Sequence, residues 1–212
     1  MAALPIPEDE ATRADEAGAL SALIGSRICH DLANPIGAIA NGVELLQMAG
    51  AGPGSPELAL VADSVAHASA RLRFFRVAFG AAGPGQMLGR SETALILADS
   101  YGGGRLAVSW GVTTDQPRAE VKVAFLLLQC IESNLPRGGE AHVSLAGGRW
   151  RLEARAERMK EEPGLWALLD GRPLPETLKP AEVQFALAPR AAAAVGRRIA
   201  AEVRPGTVAL TF

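Results

Sequence analysis

The residues best suited to chemistry in this chain lie in one short run, Ser26-Arg27-Ile28-Cys29-His30-Asp31-Leu32-Ala33-Asn34-Pro35-Ile36. Its histidine is followed at once by an acidic residue, and a proline comes five residues after the histidine. Imidazole is nucleophilic near neutral pH, and a neighbouring carboxylate can orient the ring or take its proton. The run is therefore a candidate site for carrying a covalent group on His30, provided that the side chain faces solvent.

The hydrophobic pattern around the histidine predicts which way it faces. Between about residues 15 and 48 the chain has no interior helix breakers other than glycines and one proline. At about 100° per residue, six apolar side chains fall within roughly 80° of one another. They are Ile28, Leu32, Ile36, Ile39, Val43 and Leu46. His30 falls on the opposite side of this helix, so we predict that it is exposed, together with Arg27, Asn34 and Asn41.

A second amphipathic helix is predicted after a glycine-rich turn at residues 49–55. Ser55 is a good N-cap, with Pro56 at the first helical position and Glu57 in the first turn. Apolar residues then recur at alternating spacings of three and four, which is the pattern of a coiled-coil seam. These seam residues are Leu58, Val61, Val65, Ala68, Leu72, Phe75 and Phe79.

Two helices in a hairpin bury only one face against each other, so apolar surface remains on both. We therefore predict that a second copy of the chain covers it, giving a dimeric four-helix bundle. The alternative is that both helices pack on the second half of the same chain.

The hairpin also predicts which residues of the second helix lie beside the histidine. Counting outward from the turn places His30 level with residues 71–76. Arg73 and Arg76 lie off the seam and are candidates to hold a phosphoryl group or an acidic partner surface. A merely solvated face explains either arginine equally well.

Composition excludes several other functions. The net charge of -2 gives no general attraction for nucleic acid or an anionic membrane. Cys29 and Cys130 are far apart and the three histidines are scattered, so a zinc site is not predicted; His67 and His142 are expected to be structural or surface residues. Residues 1–19 do not resemble a basic-then-apolar leader, and no apolar run is long enough to span a bilayer. We expect a cytoplasmic protein.

The second half has mixed periodicity. Helices are predicted at residues 91–101, 118–135, about 163–169 and 191–201, and strands at 105–112, 140–146, 149–156 and on either side of Pro205-Gly206. This order predicts an α/β sandwich, a mostly antiparallel sheet with helices on one face. The whole chain is then α+β, with a flexible arm over residues 1–14, the hairpin over 15–82 and the sandwich over 86–212.

The run from His30 to Ile36 resembles the H-box of two-component sensor histidine kinases. In that motif a histidine-acid-Leu-x-x-Pro sequence carries the phosphorylated histidine. The resemblance implies that His30 is the phospho-acceptor, that Asp31 is its adjacent acid and that Pro35 allows the helix to bend.

The second half resembles the ATP-binding domain of histidine kinases in its order of elements. The likeness includes the run Leu126-Leu127-Leu128-Gln129-Cys130-Ile131-Glu132, followed by Arg137-Gly138-Gly139-Glu140. That family places asparagines on this central helix to bind magnesium and phosphates. Here Gln129 and Ser133 hold the matching spacing, and Asn134 is off by one.

The nucleotide-binding glycines of that family are also missing. Its Asp-x-Gly-x-Gly motif maps to Asp170-Gly171-Arg172-Pro173, which lacks the second glycine, and its later glycine loop is replaced by Ala186-Leu187-Ala188-Pro189-Arg190. Backbone N–H groups can cradle phosphates only where glycines allow close approach. We predict the shape of the domain without its nucleotide site.

An H-box hairpin joined to such a domain resembles the ChpT-type bacterial histidine phosphotransferases. The resemblance spans nearly the whole chain from about residue 15. It implies that His30 takes a phosphoryl group from the receiver domain of a hybrid kinase and passes it to a response regulator, without ATP. It implies no cofactor on this chain, with magnesium held by the partner receiver. The predicted docking residues are Arg27, Asn34, Arg73 and Arg76.

Two alternatives stay open on the sequence. One is an ATP-dependent sensor histidine kinase with a divergent nucleotide site. The other is a non-catalytic dimeric adaptor in which His30 is an ordinary exposed histidine.

Overall fold

The computed structural model describes residues 8–49, 55–160, 162–175 and 177–212, with side chains from residue 15 onward. Helix α1 spans Glu8–Ala49. Residues 8–14, which we predicted to belong to a flexible arm, are therefore helical. Acidic residues at positions 8, 9 and 10 explain this extension, because negative charge stabilises a helix N-terminus. Residues 1–7 of the predicted arm and 50–54 of the predicted turn lie outside the described residues.

Helix α2 spans Pro56–Ala78 and forms a hairpin with α1. The predicted cap is confirmed, because the hydroxyl of Ser55 accepts a hydrogen bond from the backbone N–H of Leu58 at 3.2 Å. Gly42 allows the two helices to approach closely. A Cβ atom at that position would lie only 2.5 Å from Val61 Cγ2.

The rest of the chain forms the sandwich. Its elements are β1 Met87–Leu88, α3 Arg90–Tyr101, β2 Leu106–Trp110, β3 Gln116–Pro117, α4 Arg118–Asn134, β4 Gly139–Ala146, β5 Arg149–Arg155, α5 Pro163–Ala167, α6 Val183–Ala194, β6 Ala200–Arg204 and β7 Thr207–Thr211. One 3₁₀ turn follows α5 at Leu168–Asp170, and another precedes α6 at Pro180–Glu182.

Five of the strands form one sheet in the order β2-β4-β5-β7-β6. Strand β2 is parallel to β4, with Val108 opposite Ala141, and the remaining pairs are antiparallel. Gly147 and Gly148 form the turn between β4 and β5 with φ values of 57° and 75°, which glycine adopts without strain. The predicted α+β class and the mostly antiparallel sheet are confirmed.

The last helix was predicted in the wrong place. It spans Val183–Ala194 rather than residues 191–201. The alanine-rich stretch favours a helix by propensity, but Ala200 and Ala201 pair with Thr211 and Leu210 in the sheet. Tertiary pairing therefore overrides local preference here. Pro189, which belongs to the segment that stands in place of the family's glycine loop, lies inside this helix.

The core lies between one face of the sheet and the helices. Trp150, Leu152 and Ala154 of β5 point into it, while the residues between them are exposed. Helix α4 is its centre, with nearly every side chain from Val123 to Ile131 buried. Such an element needs no amphipathic stripe, because it is surrounded by protein.

The core of the sandwich includes one end of the hairpin. Phe74 of α2 is fully buried, and its ring stacks on Phe125 of α4 with centroids 4.7 Å apart. Leu20 of α1 is buried against Val183 and Ala186 of α6. At this end, which we call the packed end, the hairpin packs on the second half of its own chain.

The other end of the hairpin, which we call the free end, leaves much of its apolar surface uncovered. Of the predicted seam, Phe75 is buried in the sandwich core and Phe79 packs against it. Other residues of the two predicted apolar stripes are exposed at this end, namely Ile36 and Val43 of α1 and Leu58 and Val65 of α2. Leu72, which is level with His30, is exposed as well. The alternative of packing on the same chain therefore holds for the packed end and not for the free end.

Candidate functional site

His30 lies on the outer surface of α1, near the point where the hairpin enters the sandwich. Its side chain is 78% exposed, as the helical pattern predicted. The ring nitrogen Nδ1 lies 3.1 Å from Oδ1 of Asp31. A carboxylate accepts hydrogen bonds, so this contact places the ring proton on Nδ1 and leaves the Nε2 lone pair free. The arrangement presents a nucleophilic nitrogen to solvent.

In contrast to the exposed ring of His30, the side chain of Asp31 is mostly covered, with 12% of it exposed. Its second oxygen, Oδ2, accepts a hydrogen bond from Nε of Arg27 at 2.9 Å. Nη2 of Arg71, on α2, lies 3.4 Å from the same oxygen. The two guanidinium groups hold one carboxylate oxygen and leave the other for His30. Asp31 therefore cannot swing away from the ring without losing two charged partners.

Arg27 was predicted to share the exposed face of His30 and to dock a partner. The structure instead covers its side chain, because the guanidinium bonds Asp31 and donates through Nη1 to the carbonyl of Ala181 at 3.0 Å. This second contact links α1 to the turn before α6. Arg27 is one turn of helix from Asp31, and the attraction of the carboxylate draws its flexible side chain off the predicted face.

The other predicted docking residues are all exposed. Asn34 is exposed one turn after His30. Arg73 pairs with Asp99 of α3 at 2.7 Å, and Arg76 is exposed in the last turn of α2. The count along the hairpin correctly placed residues 71–76 level with the histidine, yet the residue that contacts its acid is Arg71.

Two residues of the second domain also belong to this neighbourhood, although no local sequence pattern placed them near His30. Oε2 of Glu132, on α4, lies 3.8 Å from Nη1 of Arg71. The hydroxyl of Tyr101, on α3, donates to the same oxygen at 3.4 Å. Burial raises the pKa of Tyr101 well above its ordinary value, and the nearby Glu132 carboxylate adds to the shift. Tyr101 is therefore a hydrogen-bond donor at neutral pH.

A cleft of about 460 Å³ separates the hairpin from the second domain beside this network. Its walls include Asp31 and Arg71 from the H-box region and Asp99 and Glu132 from the second domain. His67 of α2, which we expected to be a structural or surface residue, is exposed and lines the same cleft. Three carboxylates and one guanidinium therefore line this cleft.

The positions that match the nucleotide motifs do not come together. Gln129 and Asn134 are buried within α4, and the Nδ2 atom of Asn134 donates to the carbonyl of Cys130 at 3.1 Å. Asp170 lies on a different cleft, of about 710 Å³, whose lining contains neither of them. The segment 186–190, predicted as a loop, belongs to α6.

Within residues 15–48, 55–160, 162–175 and 177–212, no three His, Cys, Asp or Glu side chains are grouped closely enough to hold a metal ion. Among the helices described, none combines the length and the apolar character required to cross a membrane.

Comparison with known proteins finds similar proteins over most of the chain. A protein phosphotransferase, ChpT of Brucella abortus (strain 2308), is 33% identical over 171 residues, which cover 78% of this chain and 81% of that protein. The solved structure of a bacterial phosphotransferase superposes with a TM-score of 0.77 at 29% identity, covering 92% of this chain and 96% of that one.

A family model matches the second half. The model of the histidine phosphotransferase C-terminal domain aligns with residues 90–207, which is more than half of the 212 residues. The matched segment begins at α3 and ends in β7, so it covers nearly the whole sandwich.

Proposed function

Since the chain belongs to the histidine phosphotransferase family, we propose that it relays a phosphoryl group between the aspartates of receiver domains through His30. The observation that supports the proposal is the orientation of the imidazole ring of His30. Nδ1 is held by Asp31, and Nε2 faces open solvent on a side chain that is mostly exposed. A nucleophile with this geometry is accessible to a phosphoryl group carried on another protein.

The first half-reaction is an in-line transfer. The lone pair of Nε2 attacks phosphorus, an N–P bond forms, and the P–O bond to the receiver aspartate breaks, so that the aspartate leaves as a carboxylate. The imidazole ring becomes positively charged and keeps its proton on Nδ1. Asp31 stabilises this charge or accepts the proton. In the second half-reaction the carboxylate of another receiver attacks phosphorus and the N–P bond breaks.

This protein needs no nucleotide for either step, because each donor already carries an activated phosphoryl group. In the proposal, the magnesium ion that neutralises the phosphoryl oxygens belongs to the receiver and its acidic pocket. The role of this chain is to position the imidazole and to dock the partner. Asn34, Arg73 and Arg76 are exposed side chains on the two helices of the hairpin and are proposed docking residues.

We propose that the active form is a homodimer in the cytoplasm, where receiver domains act. The support for a dimer is the free end of the hairpin, where Ile36, Val43, Leu58 and Val65 are exposed, and the exposed Leu72 that follows in the same seam. These positions are spaced by seven residues along each helix, as in the seam of a helical bundle. A second copy would cover them in a four-helix bundle.

The test compares two phosphoryl donors. In one arm the protein is mixed, in the presence of magnesium, with receiver domains encoded in the same genome. These receivers have first been phosphorylated with labelled acetyl phosphate and freed of the excess. In the other arm the protein is mixed with labelled ATP and magnesium. We expect label on His30 from at least one receiver, no label from ATP, and no label on His30→Gln from either donor.

The other outcomes decide between the alternatives. Label from ATP alone would support a divergent kinase. No label from any donor, or label that His30→Gln does not remove, would support the adaptor. Transfer that survives EDTA would contradict the proposed use of receiver-bound magnesium.

A further inference from the structure

The site of phosphorylation is joined to the second domain by a continuous series of polar contacts. From His30 the series runs to Asp31 at 3.1 Å and on to Arg71 at 3.4 Å. From Arg71 it reaches Glu132 at 3.8 Å, and Tyr101 donates to that glutamate at 3.4 Å. It thus passes from α1 through α2 to α4 and α3.

Within this series, Arg71 is the residue that connects the hairpin to the second domain. Its guanidinium lies between two carboxylates, Asp31 of the hairpin and Glu132 of the second domain, and its Cζ atom stands 5.4 Å from the centre of the Phe75 ring. A planar guanidinium can contact two carboxylates only from a fixed orientation. Glu132 therefore determines which edge of Arg71 is turned towards Asp31.

The position of Asp31 in turn decides the state of the imidazole. Oδ2 is occupied by Arg27 and Arg71, so Oδ1 is the oxygen that remains for Nδ1 of His30. In water the neutral side chain prefers to carry its proton on Nε2. That tautomer has no lone pair on the exposed nitrogen and cannot attack phosphorus there. A fixed carboxylate next to Nδ1 reverses this preference.

We infer that Glu132 and Tyr101 are positioning residues for phosphoryl transfer, which act through Arg71 and Asp31 to hold His30 in the tautomer with a free Nε2. The second domain then does more than offer a docking surface, because it also sets the reactive form of the histidine. This inference rests on the proposed function of His30. It adds two residues that touch neither the phosphoryl group nor the partner.

The tautomer of His30 can be read directly in the full-length protein labelled with ¹⁵N-histidine. At mildly alkaline pH the chemical shifts of the two ring nitrogens distinguish the forms protonated on Nδ1 and on Nε2. We expect wild-type His30 to be mainly in the Nδ1-protonated form. Glu132→Gln should shift it towards the Nε2-protonated form, and Tyr101→Phe should do so to a smaller extent.

Asp99→Asn provides the matched control. Asp99 also belongs to the second domain and pairs with an arginine of α2, and its side chain is exposed to nearly the same extent as that of Glu132, at 34% against 32%. Its partner Arg73 has no contact with Asp31 among the ion pairs described. Asp99→Asn should therefore leave the tautomer of His30 unchanged.

Kinetics provides the second readout. With a phosphorylated receiver at saturating concentration, Glu132→Gln should slow transfer to His30 about fivefold, since a partly exposed ion pair contributes up to about 1 kcal/mol. The half-saturating receiver concentration should not change. Asp99→Asn should leave the saturated rate unchanged, and the amide spectra of the variants should confirm that each is folded.

The possible failures are distinguishable. If Glu132→Gln leaves the tautomer and the saturated rate as in wild type, or if Asp99→Asn changes them equally, Glu132 has only a structural role and the inference is wrong. If no receiver phosphorylates wild-type His30, the proposed function fails, whatever the tautomer shows.

Discussion

The two ends of the hairpin both carry apolar side chains, but their environments differ. At the packed end, Phe74 is fully buried and Leu20 nearly so, both against elements of the second domain. At the free end, apolar side chains are exposed to solvent; Ile36 is 57% exposed and Val65 47%. His30 lies between these regions, on a surface that neither of them covers.

The difference teaches that one hairpin serves two kinds of packing. Where the helices meet the sandwich, the chain completes its own core and fixes the network around Asp31. Where they extend away from it, the apolar seam has no partner within the described residues and is available to a second copy. The predictions below test each end separately.

The largest effect is expected at the packed end. Phe74→Ala removes a ring that stacks on Phe125 and contacts Tyr101 edge-to-face, so it should lower the free energy of unfolding by about 3–5 kcal/mol. The measurement is urea unfolding followed by tryptophan fluorescence and by circular dichroism. All three tryptophans belong to the second domain, whereas much of the helical signal comes from the hairpin.

Because Phe74 belongs to a shared core, both signals should move together to lower urea. Leu60→Ala, at an exposed position on the same helix, is the control and should change the free energy by less than about 0.5 kcal/mol. A fluorescence transition that stays in place while the helical signal shifts would show that the two parts unfold independently.

At the free end we expect a smaller effect, and it concerns dimerisation rather than the free energy of unfolding. Val65→Glu would bury one carboxylate from each copy in the proposed bundle and should raise the dissociation constant of the dimer at least about 100-fold. Analytical ultracentrifugation measures the constant, and circular dichroism should show an unchanged helical fold. Asp63→Ala, an exposed position on the opposite side of α2, is the control. A wild-type protein that is monomeric at micromolar concentration would refute the dimer.

The smallest effect is expected for the salt bridge that ties α1 to α6. Nη2 of Arg190 lies 2.6 Å from Oε2 of Glu16, but nearly half of each side chain is exposed. Solvent and salt screen such a pair, so a double-mutant cycle with Arg190→Gln and Glu16→Gln should give a coupling of about 0.2–1 kcal/mol that weakens in high salt. A coupling energy well above this range would mean that the ion pair, rather than the burial of Leu20 and its apolar neighbours, keeps α1 packed on α6.

Local patterns predicted much of the fold. Helical periodicity placed α1 and α2, a serine-proline pair placed the start of α2, and alternation and glycine turns placed the sheet. The two errors have different causes. Acidic residues near the start of α1 favour a helix over residues 8–14, where a flexible arm was predicted. In the segment 183–201, strand pairing of Ala200 and Ala201 outweighs their helical propensity.

The site was predicted in part. The sequence predicted His30 as an exposed residue with Asp31 beside it, since both follow from one helix. Arg27 was assigned to the exposed face although it stands one turn before Asp31, where a local ion pair can form. The approach of Glu132 to Arg71 could not be predicted, because it depends on how the hairpin packs on the sandwich. These two residues are 61 positions apart, and no local pattern connects them.

The most direct test of the central claim, that His30 is a relay point between proteins, follows the phosphoryl group out of this chain. His30 is first loaded with phosphoramidate, a small donor that phosphorylates imidazole, and the donor is removed. Unphosphorylated receiver domains and magnesium are then added. We predict that the phosphoryl group leaves His30 and appears on the aspartate of at least one receiver, with no transfer from His30→Gln treated in the same way. A phosphorylated His30 that passes its group to no receiver, and only loses it to water, would contradict the account.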